Sequence, residues 1–290
     1  NHNPKYNYLM DIREFNKLDN LPEELYNLDI LDGSPPCTTF STAGNREEGW
    51  GKKKKFREGQ AEQTLDDLSF VFIETVAKLR PKVVIMENVE GLIMGSAWAY
   101  VQKIYGQFKN IGYNVKHWLL KGEYMGVPQT RHRVFFIAVR NDIGFNPCDL
   151  DMTFNYKAIT YGEIKKGVGR LATPECQKLL EAAQPQDKDL SDIKVRLGQK
   201  PGRFNEMLAW KDRTLSTITA TWSVYDAPEL SFISNDTIIR ASTFPSDYDF
   251  IKTTPSHVGY ICGMSVPPLM IKRVVEKLLE KKEQIFGGAQ

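Results

Sequence analysis

Short apolar runs that stop at polar residues set the rhythm of the first half of the chain. Leu28-Asp29-Ile30-Leu31 ends in Asp32-Gly33-Ser34-Pro35-Pro36, and Val83-Val84-Ile85-Met86 ends in Glu87-Asn88. Val134-Phe135-Phe136-Ile137-Ala138-Val139 is a third run, and all three predict buried strands. Between the first two, Leu65, Leu68, Phe72, Val76 and Leu79 recur at spacings of three and four, which predicts a helix with one apolar face. Pro81 then restarts the chain as a strand. A second helix is predicted over residues 97–109, ending near Gly112. Strands alternating with helices predict an α/β domain with a mainly parallel sheet. The pattern weakens over residues 141–211, where Pro147, Gly162, Gly167, Gly169, Pro185 and Pro201 interrupt it, so a second domain or large insert is expected there. Residues 267–286 read as one helix with Leu269, Val274, Leu278 and Ile285 facing inward and lysines facing solvent.

Composition narrows the class. A chain of 290 residues, 41% hydrophobic, can build one large core or a core with a smaller appendage. No apolar run approaches the ~20 residues that cross a bilayer, and the N-terminus lacks a signal-peptide profile, so a cytoplasmic protein without membrane contact is expected. The first residue is Asn1 rather than Met, which suggests a trimmed piece. Cys37, Cys148, Cys176 and Cys262 form no C-x-x-C pair, so free thiols and no metal site are expected. A net charge of +2 does not by itself indicate nucleic acid. Any such partner has to be read from local features.

In open α/β sheets, ligands bind beyond the carboxyl ends of the strands. Cys37 follows the rigid Pro35-Pro36 turn and precedes Thr38-Thr39-Phe40-Ser41, which suits a presented thiol, although a small buried cysteine would look the same. Glu87 closes an apolar strand, where a carboxylate is either paired, kept protonated as a donor, or used to cap the next turn. Arg131 and Arg133 alternate, so both would share one face if the strand began there, with His132 pointing away. Such a pair could hold an anion or a pyrimidine carbonyl, or could simply be solvated.

Ser34-Pro35-Pro36-Cys37, then Glu87-Asn88-Val89, then Gln129-x-Arg131-x-Arg133 together resemble the catalytic motifs of the DNA (cytosine-5) methyltransferase family. Asp11-Ile12 resembles the family's third cofactor motif, and Gly263-Met264-Ser265-Val266-Pro267-Pro268 its last. Arg240 with Thr243-Phe244-Pro245 resembles the segment that precedes that last motif. The resemblance implies a Rossmann-like, S-adenosylmethionine-dependent methyltransferase sheet with a smaller target-recognition domain. It divides the chain into a catalytic part (1–140), a recognition part (141–211) and a return segment with the C-terminal helix (212–290). It implies Cys37 as the nucleophile that attacks cytosine C6, Glu87 holding N3 and the exocyclic amine, and Arg131 and Arg133 supporting O2. The base would have to be flipped out of the duplex.

The same resemblance implies cofactor contacts from Asp11, Ile12, Pro36, Leu68 and Ser265. It implies DNA contacts from Ser41, Lys52, Lys53, Lys54, Lys55 and Arg57 in a glycine-bearing loop, with Lys165, Lys166, Arg170, Arg196, Lys200 and Arg203 also offered by the recognition part. Double-stranded DNA is the implied partner of a protein expected to be a monomer, with a cognate restriction endonuclease system as a further association. The family's first motif, a Phe-x-Gly-x-Gly turn, has no room before Asp11. The N-terminal strand–helix part is therefore expected to be missing and cofactor binding by this chain alone to be weak. Met264 replaces the usual Asn, and Thr38 a frequent Gln. An RNA cytosine-5 methyltransferase of related fold, or a catalytically incomplete DNA-binding relative, are the alternatives.

Overall fold

The computed structural model describes residues 1, 3–36, 68–221, 223–250 and 254–287. In chain order, the elements up to residue 152 are α1 (Ile12–Asn16), β1 (Ile30–Gly33), α2 (Leu68–Leu79), β2 (Val83–Val89), α3 (Trp98–Asn110), β3 (Tyr113–Lys121), β4 (Gln129–Thr130) and β5 (His132–Arg140). The remainder gives α4 (Tyr161–Ile164), α5 (Pro174–Leu180), α6 (Leu190–Arg196), β6 (Met207–Ala209), β7 (Leu215–Ser216), β8 (Val224–Asp226), β9 (Ser231–Phe232), α7 (Asn235–Ala241), α8 (Pro255–Met264), α9 (Pro268–Leu279) and α10 (Lys282–Ile285). The described residues divide into two units. The sheet unit draws on 2–120, 132–152 and 277–290, and the second on residue 1, 121–131 and 153–276.

The sheet unit is built on a four-stranded sheet in the order β1-β2-β5-β3. β1 runs parallel to β2, as expected, but β5 lies antiparallel to β2 over the whole of β2, from Val83↔Val139 to Val89↔Arg133. The sheet is therefore mixed rather than mainly parallel. The alternation of strand and helix fails at its last step, because only a short connection without a crossover helix separates β3 from β5. β2 also does not stop at its first polar residue. Glu87, Asn88 and Val89 stay in register with Phe135, Val134 and Arg133, which carries a carboxylate and an amide into the buried end of the sheet.

Helix α2 presents Phe72, Val76 and Leu79 to the interior, on the predicted face; Leu65 lies outside the described residues. Arg80, with φ 53, ends it in a left-handed turn, and its N–H still reaches the Val76 carbonyl at 2.9 Å. α3 buries Tyr100, Val101, Ile104 and Phe108 in the same core, and Gly112, at φ 84, turns the chain into β3. The long C-terminal helix is interrupted between Leu279 and Lys282. Val274, Leu278 and Ile285 are buried, joined by Met270 rather than Leu269.

The second unit has its own cores. Tyr161, Ile218, Val224, Ile238 and Cys262 centre one, and Leu180, Leu190, Ile193, Leu208 and Tyr225 the other. Its small sheet runs β6-β8-β9, and β4 pairs in parallel with β7. Among the described residues no helix is long and apolar enough to cross a membrane.

Candidate functional site

β1 is short, and the space beside its carboxyl end is walled by side chains from α1 and α2. α1 is capped at its start by Asp11, whose Oδ1 accepts from the Arg13 N–H at 2.8 Å. It is tied to α2 by polar bonds: Thr75 Oγ1 donates to Asn16 Oδ1 at 2.8 Å, and Asn16 Nδ2 to the Val71 carbonyl at 3.1 Å. Ile12 and Phe15 of α1 line one cavity with Leu68 and Phe72 of α2. Tyr6, Tyr8 and Met10 close the rim, leaving a cavity of about 550 Å³ in the sheet unit. This lies within the ~300–1,000 Å³ usual for small-molecule sites.

Of the residues expected to hold a cofactor, Ile12, Pro36 and Leu68 line this cavity. Asp11 is exposed and engaged in capping its helix. Ser265 belongs to the second unit, where its hydroxyl donates to the Ile261 carbonyl at 2.7 Å. The pattern of the sequence did not single out Asp32, the one charged group among the described residues that line the cavity. Asp32 is exposed to solvent, yet the apolar groups crowded around its carboxyl strip away enough water to lift its pKa above the usual carboxylate range. Gly33 is a second residue missed. A Cβ there would stand 2.4 Å from Cε2 of Phe72, so only glycine lets the ring of α2 lie against β1. The glycine could have been flagged by its place just after an apolar run; its partner could not.

A second cluster of candidate residues forms at the end of β2. Asn88 Nδ2 donates to the Pro35 carbonyl at 3.1 Å, which fastens the Pro35-Pro36 turn beside the strand end. Next to it Glu87 Oε1 meets Arg133 Nε at 2.9 Å, both side chains largely buried. Burial pushes the Arg133 pKa down, and the carboxylate of Glu87 opposes that shift. His132 turns to Glu90, its Nδ1 3.4 Å from Oε2.

Arg131 and Arg133 do not share a strand face. β5 begins at His132, and Arg131 is a buried residue of the second unit, donating to the carbonyls of Ile218 at 2.9 Å and Gly263 at 3.1 Å. A shared face is expected only if the strand begins at Arg131, and that condition is not met, since Arg131 is the single residue between β4 and β5. Gly263 itself packs on backbone, and a Cβ would stand 2.2 Å from the Thr219 carbonyl carbon. Cys37, Ser41, Lys52, Lys53, Lys54, Lys55 and Arg57 lie outside the described residues.

Residues 1–213 match the family model described as C-5 cytosine-specific DNA methylase. The chain is 31% identical over 162 residues to the orphan methyltransferase M.SPRI of Bacillus phage SPR, covering 56% of this chain and 33% of that protein. It is 27% identical over 319 residues to the type II methyltransferase M.NgoFVII of Neisseria gonorrhoeae, covering 95% of this chain and 80% of the relative. The chain thus spans a third of the first relative and four-fifths of the second. Among solved structures, DNMT2 of Spodoptera frugiperda superimposes with a TM-score of 0.57 at 16% identity, covering 87% of this chain and 79% of that one. The Entamoeba histolytica methyltransferase EhMeth gives 0.53 at 15% identity, covering 87% and 77%. At those identities the two structures establish a shared α/β methyltransferase fold. The match of the family model over most of the chain establishes more: the protein belongs to the C-5 cytosine-specific DNA methylase family.

Proposed function

We propose that the protein methylates C5 of cytosine in duplex DNA, with S-adenosylmethionine as methyl donor. The observation that carries the reading is the Asn88–Pro35 bond, which sets the turn preceding Cys37 beside the buried Glu87–Arg133 pair. The cavity fits the donor: its volume suits a nucleoside, its walls are apolar and aromatic, and Asp32 supplies an anionic group for a positively charged molecule. Ile12, Pro36 and Leu68 would hold the donor there, and it would supply an electrophilic methyl group.

The remaining chemistry belongs to the chain's own residues. The Cys37 thiolate adds to C6 of the flipped base, forming an S–C bond and moving electron density onto C5. Glu87 holds N3 and the exocyclic amine, and Arg133 fixes the carboxyl in place and neutralises its charge where water is scarce. Within the second unit, Arg131 holds the Ile218 and Gly263 backbones. Once C5 is methylated, its proton leaves and the S–C6 bond breaks, which returns the thiolate and yields 5-methylcytosine. Ser41, Lys52, Lys53, Lys54, Lys55 and Arg57 bind phosphates around the flipped base. Asp11 orders the start of α1 at the donor site. Residues 141–211 read the surrounding bases, and the protein marks DNA either beside a restriction endonuclease or as an orphan enzyme.

The test is methyl incorporation from labelled S-adenosylmethionine into duplex DNA and, in parallel, into transfer RNA. We expect incorporation into duplex DNA, its loss in Cys37→Ser and retained DNA binding by that variant. Incorporation into transfer RNA alone would replace the substrate, and undiminished turnover by Cys37→Ser would remove the nucleophile.

A further inference from the structure

The walls of the cavity beside β1 are unevenly fastened. On one side Asp32 and Gly33 are paired into the sheet, opposite Ile85 and Met86, while Leu68 and Phe72 belong to α2. On the other side residues 5–10 alternate. Tyr6, Tyr8 and Met10 line the cavity, whereas Lys5, Asn7 and Leu9 do not and are exposed, Leu9 wholly so. Among the described residues the one backbone–backbone hydrogen bond of this segment is internal, from the Met10 N–H to the Tyr8 carbonyl at 3.1 Å.

Side chains therefore hold the segment in place. Tyr8 meets Phe15 of α1 edge-on, with ring centres 5.2 Å apart. At the far end Glu24, in the single helical turn Glu23–Tyr26 before β1, accepts two bonds: Lys5 Nζ donates to Oε1, and the Tyr6 hydroxyl to Oε2 at 3.0 Å. Lys5 and Glu24 both stand in solvent. α1 stays behind if the segment moves, because Asn16 ties that helix to α2. Lifting residues 5–10 thus breaks the bonds of one exposed carboxylate and one ring contact, and leaves the sheet and both helices as they are.

An exposed ion pair is a weak tie, and salt screens it. That suits a cover over a site whose occupant is exchanged at every turnover, since a methyl donor must enter and its demethylated product leave. The Lys5 bond holds the Glu24 carboxyl down at about 2, and Glu24 in turn raises the Lys5 ammonium, so the tie stays charged at working pH and answers to salt instead. We propose that residues 5–10 are a strap across the donor cavity and that Glu24 is a positioning residue that latches it, so that the latch governs how long S-adenosylmethionine stays and not whether it fits. The inference rests on the donor site proposed above.

Association and dissociation rates of S-adenosylmethionine are measured by surface plasmon resonance on the immobilised chain, at about 50 and about 500 mM salt, which brackets weak and strong screening. Glu24→Gln keeps the shape and removes the charge, so dissociation should quicken roughly threefold at the lower salt with association unchanged. Raising the salt should bring the wild-type dissociation rate toward that of the variant, whose own rate should stay level. Glu14→Gln, which breaks a comparable exposed pair with Lys17 on α1, should match the wild type in both rates. Chymotryptic cleavage after Tyr6 and Tyr8 reads the strap without the donor, and should be faster in Glu24→Gln than in the wild type. Equal dissociation and equal cleavage in Glu24→Gln and wild type, with the donor still bound, would overturn the latch and leave the donor site standing. So would a Glu24→Gln effect confined to association. A wild-type chain that takes up no S-adenosylmethionine would overturn the donor site and the latch with it.

Discussion

Glu87 shows how one residue's setting depends on neighbours far away in the chain. The sequence marks it as a carboxylate at the end of an apolar strand, which leaves pairing, protonation and capping open. The structure supplies the partner, Arg133, on a strand that only tertiary pairing brings alongside, and Asn88 adds the link to Pro35. Asp32 is the converse case, an exposed carboxyl lifted in pKa by the apolar groups crowded around it, with no ion pair to it among the described residues. A carboxyl whose folded pKa exceeds its unfolded value favours folding below the unfolded pKa, about 3.9, and loses that contribution as pH rises through the folded value. Asp32→Asn should therefore melt higher than wild type at pH 7, with the difference shrinking as the pH is lowered toward about 4. A difference that grows on acidification would mean that Asp32 is stabilised in its ionised form.

Elements were legible where periodicity acts alone and lost where the chain folds back on itself. The α2 face of Phe72, Val76 and Leu79, and the run Val134-Phe135-Phe136-Ile137-Ala138-Val139, follow from local spacing, since each buries a continuous apolar surface. The mixed sheet, the start of β5 at His132 rather than before Arg131, and the break before Lys282 do not, because each depends on what lies alongside. The site divides in the same way: Ile12, Pro36 and Leu68 came from motifs, whereas Asp32 and the Gly33–Phe72 contact are products of packing. That contact can be tested. Gly33→Ala would drive a methyl group into the Phe72 ring and should cost about 1–3 kcal/mol, by denaturant titration, while narrowing the cavity and weakening S-adenosylmethionine binding. Unchanged stability and affinity would show that the ring can swing away freely.

At the scale of the whole molecule, the described residues that line the cavity all come from the sheet unit, while α6, β6 and β8 have a separate core around Leu190. Leu190→Ala should destabilise the protein by about 2–5 kcal/mol yet leave S-adenosylmethionine affinity intact well below the transition, read by calorimetric titration. A matching loss of affinity would show that the two cores do not behave independently. The order β1-β2-β5-β3 also has a consequence for synthesis. β2 is complete at Val89, but the antiparallel neighbour that covers one of its edges begins only at His132, about 40 residues later. At ~5–20 residues per second, a ribosome leaves that apolar edge waiting for several seconds, a window in which nascent chains can pair wrongly with one another. Poor yield on rapid overexpression, relieved by slower growth or by chaperones that shield exposed strands, would thus arise from the threading of the sheet rather than from any weakness of the finished fold.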